Sequence, residues 1–528
     1  MKLKNILIVG SLICSTISCK KSFLDNPSTS NATLDVYYTN AEQVNGATGL
    51  LYNQAWGDWF DKAFSSVGDV LGGTVTGAAG NDQYNSFYNF NIQSTDGLVN
   101  LTWKACYKAA GQASVLIQSF QTKKAQVADG AYLNQGIAEA RFIRGFSYFY
   151  IGRTFGDAPI VSDPVALTEP GKYLVPRYLQ KDVLRFALED LKFAEENLPA
   201  VAYQPGRVTK YAAKGMMAKV YLYLKDYPNA KLKAKEVIDY ATSSGTIGLY
   251  SDYNKMFTSS SANNNKESLF SLQWLTALGW NGGNRFQLYV GPQPLLSPAP
   301  TSGAGYSALV PSIDLLNPTT GYATGDNRHA WSVMEHGFHK DEWKNANFPN
   351  GFTYDTTGTT TDNFKIRTGT RSNIMKYVVG PNRTNEPVNS NSHSQIGTYI
   401  LRYADVLLIY AEACLADGGI QADALAAYNA VHTRAGLAPV ATFTLDELLH
   451  ERKVEFAFEG DFWFDIQRQG FTKAKQMIEM QERGTYDFNK NLTSFKATLS
   501  NAAQLYLPIP QSETVIDPLL LEPAMPYY

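Results

Sequence analysis

Residues 208–240, VTKYAAKGMMAKVYLYLKDYPNAKLKAKEVIDY, carry the pattern that decides the fold. Small and aromatic side chains recur there at the spacings of a tetratricopeptide helix pair, with a turn at 225–228. These side chains are Ala218, Tyr221, Tyr227, Ala230, Ala234 and Val237. Small residues let two helices approach closely, and the aromatic rings fill the gap between them. The stretch therefore predicts a pair of antiparallel helices.

A second stretch, 401–434, has the same character and predicts a second helix pair with a turn at 417–419. Its signals are Ala404, Ala411, Cys414, Ala427, Tyr428 and Val431. Apolar periodicity predicts further helices over 41–56, 99–120, 133–153, 179–198 and 445 to about 469, the last broken near Gly460. The predicted fold class is mostly α.

Between 247 and 397 the helical periodicity fades, and Gly, Ser, Thr, Asn and Pro dominate. Short strands are expected at 269–274 and 374–378. A long irregular region inside a compact protein is usually functional. We therefore expect the helices at 41–246 and 398–528 to form a scaffold, and the loop-rich region 247–397 to carry specificity.

The first eighteen residues have the features of a targeting signal. Lys2 and Lys4 precede a short apolar stretch at 6–13, which is too short to span a bilayer. Small residues then lead to Cys19, whose thiol is placed to receive a lipid. We expect 1–18 to be a signal peptide, 19–40 a lipidated tether and 41–528 a single domain. The alternative is a plain signal peptide in which Cys19 is an ordinary residue.

The composition of the chain narrows the class of ligand that it can bind. The chain has 46 Lys and Arg against 48 Asp and Glu, a net charge of −2, so it lacks the basic excess of a nucleic-acid binder. Aromatic residues make up 13%, with 32 Tyr, which suits neutral polar ligands such as sugars or peptides. After the signal, Cys106 and Cys414 remain in apolar helical stretches. Each is expected to be a free buried thiol, and a disulfide between them stays possible.

No catalytic or cofactor motif stands out. The chain has no nucleophile elbow, phosphate loop or dinucleotide fingerprint. His336 and His339 lack the further ligands of a metal site. Glu451, Glu455 and Glu459 share one helix face, whereas a glycosidase needs two carboxylates across a sugar. We expect these glutamates to form salt bridges with neighbours, which are Arg452, Lys453 and Arg468. The sequence predicts no enzyme activity, metal or cofactor.

Aromatic and polar residues outside the clear helices are the candidates for ligand binding. We expect a shallow, water-exposed site built from loops near 56–90 and 274–345. The predicted stacking residues are Trp59, Trp280, Tyr289 and Trp331, with Tyr84, Tyr306 and Trp343 as further aromatic candidates. The predicted hydrogen-bonding residues are Asp69, Asn81 and Arg285. For each of these aromatic residues, the alternative to ligand binding is that the ring packs its loop onto the helical scaffold.

Five segments in order resemble the SusD/RagB family of Bacteroidetes outer-membrane lipoproteins. They are Cys19 with FLD at 23–25; EARFIRGFSYF at 139–149 with FGDAP at 155–159; LRYADVLL at 401–408 with YAEA at 410–413; Glu451, Arg452, Glu455, FEG at 458–460, Phe464, Asp465 and Arg468; and LPIP at 507–510. There are departures. Asp461 stands where the family usually has a basic residue, and Lys20 and Lys21 replace an acidic cluster after the cysteine.

The resemblance implies a SusD-like fold in which tetratricopeptide-like helix pairs support a variable ligand-binding region. It also implies a partner, a SusC-like TonB-dependent transporter over whose mouth the lipoprotein acts as a lid. The motif residues are implied to be scaffold. Those expected in buried ion pairs are Arg141, Arg144, Asp405, Glu412 and Glu459.

The resemblance thus implies a non-catalytic, lipid-anchored protein of the outer membrane, facing the exterior, that binds oligosaccharides for uptake. A RagB-like protein of the same fold that binds peptides is the closest alternative. Two hypotheses come from other functional classes: a lipid-anchored glycoside hydrolase, and a helical scaffold for envelope assembly. The sequence does not identify the glycan, its linkage or its length.

Overall fold

A computed structural model describes residues 37–57, 59–77, 82–296, 305–357, 369–487 and 489–528. The helices are α1 Ala41–Gly49, α2 Asn85–Tyr88, α3 Gly97–Lys124, α4 Ala131–Phe155, α5 Gln180–Asn197, α6 Lys210–Tyr223, α7 Tyr227–Ser244, α8 Tyr253–Thr258, α9 Phe286–Val290, α10 Gln293–Leu296, α11 Ile313–Leu316, α12 Asn327–Ser332, α13 Tyr403–Ala416, α14 Ala422–Arg434, α15 Leu445–Glu455, α16 Phe462–Gln467, α17 Phe471–Met480 and α18 Gln511–Ile516. The fold is mostly helical, as predicted.

The strands are short and form two-stranded antiparallel pairs. They are β1 Val75–Gly77, β2 Ser268–Leu272, β3 Leu309–Pro311, β4 Val333–Met334, β5 His339–Lys340, β6 Phe352–Thr353, β7 Asn373–Ile374, β8 Thr398–Arg402, β9 Thr485–Tyr486 and β10 Leu492–Thr493. The pairs are β1 with β3, β2 with β8, β4 with β7, β5 with β6 and β9 with β10. The strand predicted at 269–274 corresponds to β2, whereas the strand predicted at 374–378 shares only Ile374 with β7.

Local signals set the helix ends. Asp96 caps α3 by accepting from Leu98 N at 2.9 Å, and Thr209 caps α6 by accepting from Ala212 N. Asp226 caps α7, whose first turn contains Pro228, and α7 stops at Gly245, where φ is +67°. These side-chain oxygens satisfy backbone N–H groups that a helix start leaves without partners.

The long helices pack in sequence order from α3 to α7, and α13 and α14 continue the array from α7. Both predicted helix pairs are present, as α6 with α7 and α13 with α14. Helix α4 is almost wholly buried between α3 and α5. A Cβ at Gly145 would lie 2.9 Å from Ala187 O on α5, so only glycine permits this close approach.

Two predicted helices have different ends in the structure. The first ends at Gly49 rather than near residue 56 and continues as 3₁₀ turns, because Asn53 leaves the helical region and donates to Gln273 O at 2.5 Å. The predicted break near Gly460 is confirmed. Helix α15 ends at Glu455, and a turn with φ +68° at Phe458 and +71° at Gly460 precedes α16.

The residues expected in buried ion pairs do form them. Arg144 Nε lies 2.6 Å from Asp190 Oδ2, and Lys219 Nζ lies 2.7 Å from Asp405 Oδ2. Glu412 pairs with Arg468, and Glu459 pairs with both Arg402 and Lys376. Arg141 is the more peripheral member, at 3.8 Å from Asp190 with its side chain partly exposed. These pairs tie separate elements together.

The partners predicted for the α15 glutamates are wrong. Glu451 and Glu455 both pair with Arg328, at 2.6 and 3.1 Å, and Glu455 also accepts from Arg402 at 2.8 Å. The expected basic neighbours pair elsewhere: Arg452 with Asp405, Lys453 with Asp314 and Arg468 with Glu412. Because the last turn of α15, residues 451–455, is buried, its charged side chains reach across to other elements instead of along the helix.

Cys106 and Cys414 are both free and buried. In the part of the chain that the structure describes, no helix combines the length and the apolar character needed to cross a membrane.

Candidate functional site

The two segments predicted to hold the site, 56–90 and 274–345, meet at one surface. Strand β1 pairs with β3, with Val75 opposite Pro311 and Gly77 opposite Leu309. Just before β3, the chain runs along α9, where Tyr306 N donates to Leu288 O at 2.7 Å. A π-helical turn at Trp59–Ala63 also packs against α9.

Tyr306 is the aromatic residue of this surface that solvent reaches, with 36% of its area exposed. Its ring centroid lies 5.9 Å from that of Tyr289, with the planes tilted by 40°. Lys62 Nζ lies 5.4 Å from the Tyr289 ring centroid and donates to Gln83 Oε1 at 3.1 Å. We call these four residues, Lys62, Gln83, Tyr289 and Tyr306, the Tyr306 surface.

An exposed apolar edge precedes α9 in the chain. Leu275 and Leu278 are 54% and 50% exposed. Leu278 belongs to the 3₁₀ helix Thr276–Asn281, and Leu275 directly precedes it. This helix is held in place because Gln395 Nε2 donates to Thr276 Oγ1 at 2.9 Å. Exposed leucines are suited to the apolar faces of a ligand.

Trp59 does not belong to the surface, and its predicted stacking role is wrong. The residue is 2% exposed. Its ring packs edge-on against Phe64 at 4.9 Å and Tyr150 at 5.0 Å. A ligand cannot reach a ring that is enclosed in this way, so Trp59 is a core residue.

Asp69 is also wrongly predicted as a ligand contact, because it is fully buried. Its carboxylate accepts from Thr74 Oγ1, Phe458 N and Gly460 N, each at 3.1 Å. Burial raises the pKa of Asp69 to about 8, against the effect of these donors. The side chain fastens the turn between α15 and α16 to the segment around residue 69.

Three further predicted residues are buried. Tyr84 and Tyr289 are 1% and 5% exposed, and Arg285 is 4% exposed with its Nη2 donating to Gly57 O at 3.1 Å. Burial, followed by the charge of Arg285, lowers the pKa of His393 to about 4. The predictions of direct contact for Tyr84 and Arg285 are therefore corrected to packing roles. Tyr289 supports the Tyr306 ring from below.

Trp331 and Trp343 pack against other aromatic rings of the loop-rich region. Trp331 is half-buried on α12, with its ring centroid 5.7 Å from that of Tyr253. Its carbonyl accepts from Asn254 Nδ2 at 2.9 Å. Trp343 is buried against Phe338 at 5.8 Å. Their ring contacts with Tyr253 and Phe338 lie within the loop-rich region itself, so both rings have packing roles.

Some predicted residues fall outside the described part of the chain. Asn81 and Cys19 belong to segments that the structure does not describe. The backbone of Trp280 belongs to the 3₁₀ helix at Thr276–Asn281, while its side chain is not described. These three stay predictions.

The sequence reasoning missed Lys62, Gln83, Leu275 and Leu278. It chose the right segments but favoured their largest rings, and large rings near a core are usually buried. A polar residue next to an aromatic candidate was the available signal for Gln83, which precedes Tyr84, whereas the sequence carried no such signal for Lys62.

Comparisons with known proteins find family models and relatives that match this chain. A family model described as "SusD family" matches residues 266–528, and one described as "Starch-binding associating with outer membrane" matches 22–222. The chain is similar to a "SusD-like protein" of Bacteroides ovatus, with 29% identity over 570 aligned residues that cover 99% of this chain and 98% of that one.

Solved structures are similar over nearly the whole chain. One that contains a xylogluco-oligosaccharide is 26% identical, with a TM-score of 0.78, and covers 92% of this chain and 99% of its own. A "Laminarin binding SusD-like protein" is 23% identical, with a TM-score of 0.66 over 91% of this chain and 98% of its own, and shows the shared fold.

Proposed function

Because this chain belongs to the SusD family, we propose that it captures oligosaccharides at the outer membrane and delivers them to a SusC-like TonB-dependent transporter. SusD-like proteins bind sugars and break no bond. The observation that carries the proposal is the Tyr306 surface, an exposed aromatic ring flanked by an ammonium and an amide.

The chemistry of this surface suits a sugar. A sugar ring presents an apolar C–H face and a rim of hydroxyl groups. The Tyr306 ring offers a flat surface for the face, while Lys62 and Gln83 offer hydrogen bonds to the rim. The structure that holds a xylogluco-oligosaccharide supports a glycan as the ligand class.

The carboxylates support binding rather than hydrolysis. A glycosidase needs one carboxyl to donate a proton and another to act as base or nucleophile. Glu451, Glu455 and Glu459 are buried and paired with arginines. The Arg434, Arg402 and Arg328 charges outweigh the effect of burial and lower the pKa of Glu455. A carboxylate held in that way is a poor proton donor.

The anchor and the partner complete the proposal. Cys19 is the expected lipidation site, and the described chain begins at residue 37. Residues 19–40 are expected to form the tether between the lipid and the domain. Such a tether lets the protein capture a ligand above the membrane and still close over a neighbouring transporter. The protein would face the cell exterior.

Calorimetry tests the binding step. Wild type is titrated with xylogluco-, laminari- and malto-oligosaccharides, and Tyr306→Ala and Trp280→Ala are titrated with whichever of these binds. Truncating an aromatic hot spot costs about 2 kcal/mol or more. We therefore expect Tyr306→Ala to weaken binding about thirtyfold.

The matched control is Tyr37→Ala, because Tyr37 is exposed to a similar extent, 39%, and lies beside Tyr38 near the start of α1. It should leave affinity unchanged. Thermal melts report folding for each variant. Full affinity of a folded Tyr306→Ala would remove this surface from the proposal. Binding of peptides and of none of the glycans would replace the proposed ligand class.

A further inference from the structure

Two segments with motif resemblance, 155–159 and 507–510, line a single open groove that the proposed function does not use. Its volume is about 510 Å³, within the range of small-ligand sites. Apolar Ile92 and Pro508 contribute to its lining, together with polar Asp157, Arg177 and Gln504. Because Asp157 is acidic and Arg177 is basic, the lining has no net charge.

The walls of the groove are held by hydrogen bonds. Tyr506 OH donates to Gln180 Oε1 at 3.1 Å, and Gln180 Nε2 donates to Gly152 O at 2.9 Å. The Tyr506 ring lies against Gly156, where a Cβ would come within 3.3 Å of it. Leu507 N donates to Thr154 O at 2.8 Å. The groove is therefore preformed, which lowers the entropic cost of binding.

One short segment connects the groove to the Tyr306 surface. Gln83 belongs to that surface, and Phe90 and Ile92 line the groove. The side chains between and beyond them include a run of exposed amides, which are Asn85, Asn89, Asn91 and Gln93. Asn91 N donates to Ser86 O at 2.8 Å across Phe90, whose φ is +56°, so the chain turns where α2 ends. Gln83 lies in the 3₁₀ turn Asp82–Tyr84, which precedes α2, so at a rise of roughly 1.5–2 Å per residue Gln83 and Asn89 lie roughly 9–12 Å apart along the segment.

We infer that the groove is a second subsite for the same neutral oligosaccharide, whose chain runs from the Tyr306 surface over the exposed amides. This inference rests on the proposed function and adds that the protein selects long glycans. Amide side chains donate and accept, as sugar hydroxyls do. Ile92 and Pro508 offer apolar contact to sugar C–H groups, and the lack of net charge fits an uncharged chain.

A matched pair of variants tests the second subsite. Ala502 and Ala503 are both exposed on the 3₁₀ helix Ala502–Leu505, but only Ala503 is part of the groove lining. Ala503→Arg obstructs the groove, and Ala502→Arg adds the same charge and bulk beside it. Each protein is titrated with xylogluco-oligosaccharides of one and two repeats, and with laminari-oligosaccharides of matched lengths.

We expect wild type and Ala502→Arg to bind the longer oligosaccharide about tenfold more tightly than the shorter, equivalent to about 1.4 kcal/mol. Ala503→Arg should lose that advantage and keep the affinity for the shorter one. Thermal melts check that both variants fold.

Two results would overturn the inference and leave the proposed function standing: equal affinity of wild type for short and long chains, or an unchanged length advantage in Ala503→Arg. If wild type binds neither ladder and no malto-oligosaccharide, the proposed function loses its support and the second subsite is rejected with it.

Discussion

Asp69 shows how a single residue can look like a ligand contact in the sequence and serve the core instead. It precedes a loop of small and polar residues that includes Gly72 and Gly73, a setting in which acids often bind ligands. Its carboxylate instead receives the N–H groups of Phe458 and Gly460, two residues with positive φ. A Cβ at Gly68 would lie 2.0 Å from Gly460 O, so the two backbones are in direct contact there.

Removal of this carboxylate should destabilise the protein without a direct effect on ligand contacts. Asp69→Ala leaves two buried N–H groups without an acceptor, at about 1–3 kcal/mol each. We expect a loss of at least about 2 kcal/mol in the free energy of unfolding, measured with denaturant. Asp341→Ala is the control, because Asp341 is 90% exposed. A normal unfolding free energy with weakened glycan binding would restore Asp69 to the ligand site.

The same carboxyl should give a pH signature. Its pKa is about 8 in the folded protein and about 4 when unfolded. Between these values the folded state holds a proton that the unfolded state lacks, so stability falls as pH rises, by at most about 1.4 kcal/mol per pH unit. The stability difference between wild type and Asp69→Ala should therefore be larger at pH 5 than at pH 8. A difference that grows with pH would contradict the raised pKa.

At the scale of elements, regular apolar periodicity predicts the helix pairs correctly, whereas irregular sequence does not predict which side chains are exposed. The helix pairs α6–α7 and α13–α14 lie where small residues recur, because close helix packing imposes that recurrence. The sequence predicts that Trp59 and Tyr84 are surface residues, but both are buried. Trp59 lies in a π-helical turn and Tyr84 in a 3₁₀ turn. In such turns no simple period relates position to side-chain direction, so the segments of the site were predictable and their members were not.

The contact between α6 and α7 can be tested at Ala230, which is fully buried, as is Ala218. Ala230→Phe inserts a ring where the helices touch and should cost about 1–3 kcal/mol or more. Lys235→Ala, which loses only a surface pair with Asp239, should change the melting temperature little. Equal effects of both changes would argue against tight packing at Ala230.

At the scale of the molecule, charged side chains join the two halves of the chain through the core. Arg153 of α4 and Lys219 of α6 both reach Asp461, at 2.7 and 2.6 Å. Lys219 also reaches Asp405 of α13, which pairs with Arg452 of α15 at 2.8 Å. The motif segments that are far apart in sequence thus converge on one buried network. Their order was visible in the sequence, but these partners were not, because ion pairing over hundreds of residues leaves no local pattern.

Asp461 departs from the family's usual basic residue, and the structure gives it a role. A cation at this position would face Arg153, Lys219 and Arg452. Burial opposes ionisation of the acid, but the charges of Lys219, Arg153 and Arg452 outweigh it and lower the pKa of Asp461. The carboxylate is therefore charged at neutral pH and balances two buried cations that come from the first half of the chain.

This network supports the proposal that residues 41–528 form one cooperative domain. Asp461→Asn removes the shared counter-charge of Arg153 and Lys219, and breaking a buried pair in that way costs about 3–5 kcal/mol. Because the pair links helices of both halves, the whole protein should melt at a lower temperature and still in a single calorimetric transition. Asp239→Asn, at a surface pair with Lys235, should leave the melting temperature nearly unchanged. If Asp461→Asn instead split the melt into two transitions, the halves would be separate folding units joined by this contact, and a single domain would be the wrong description.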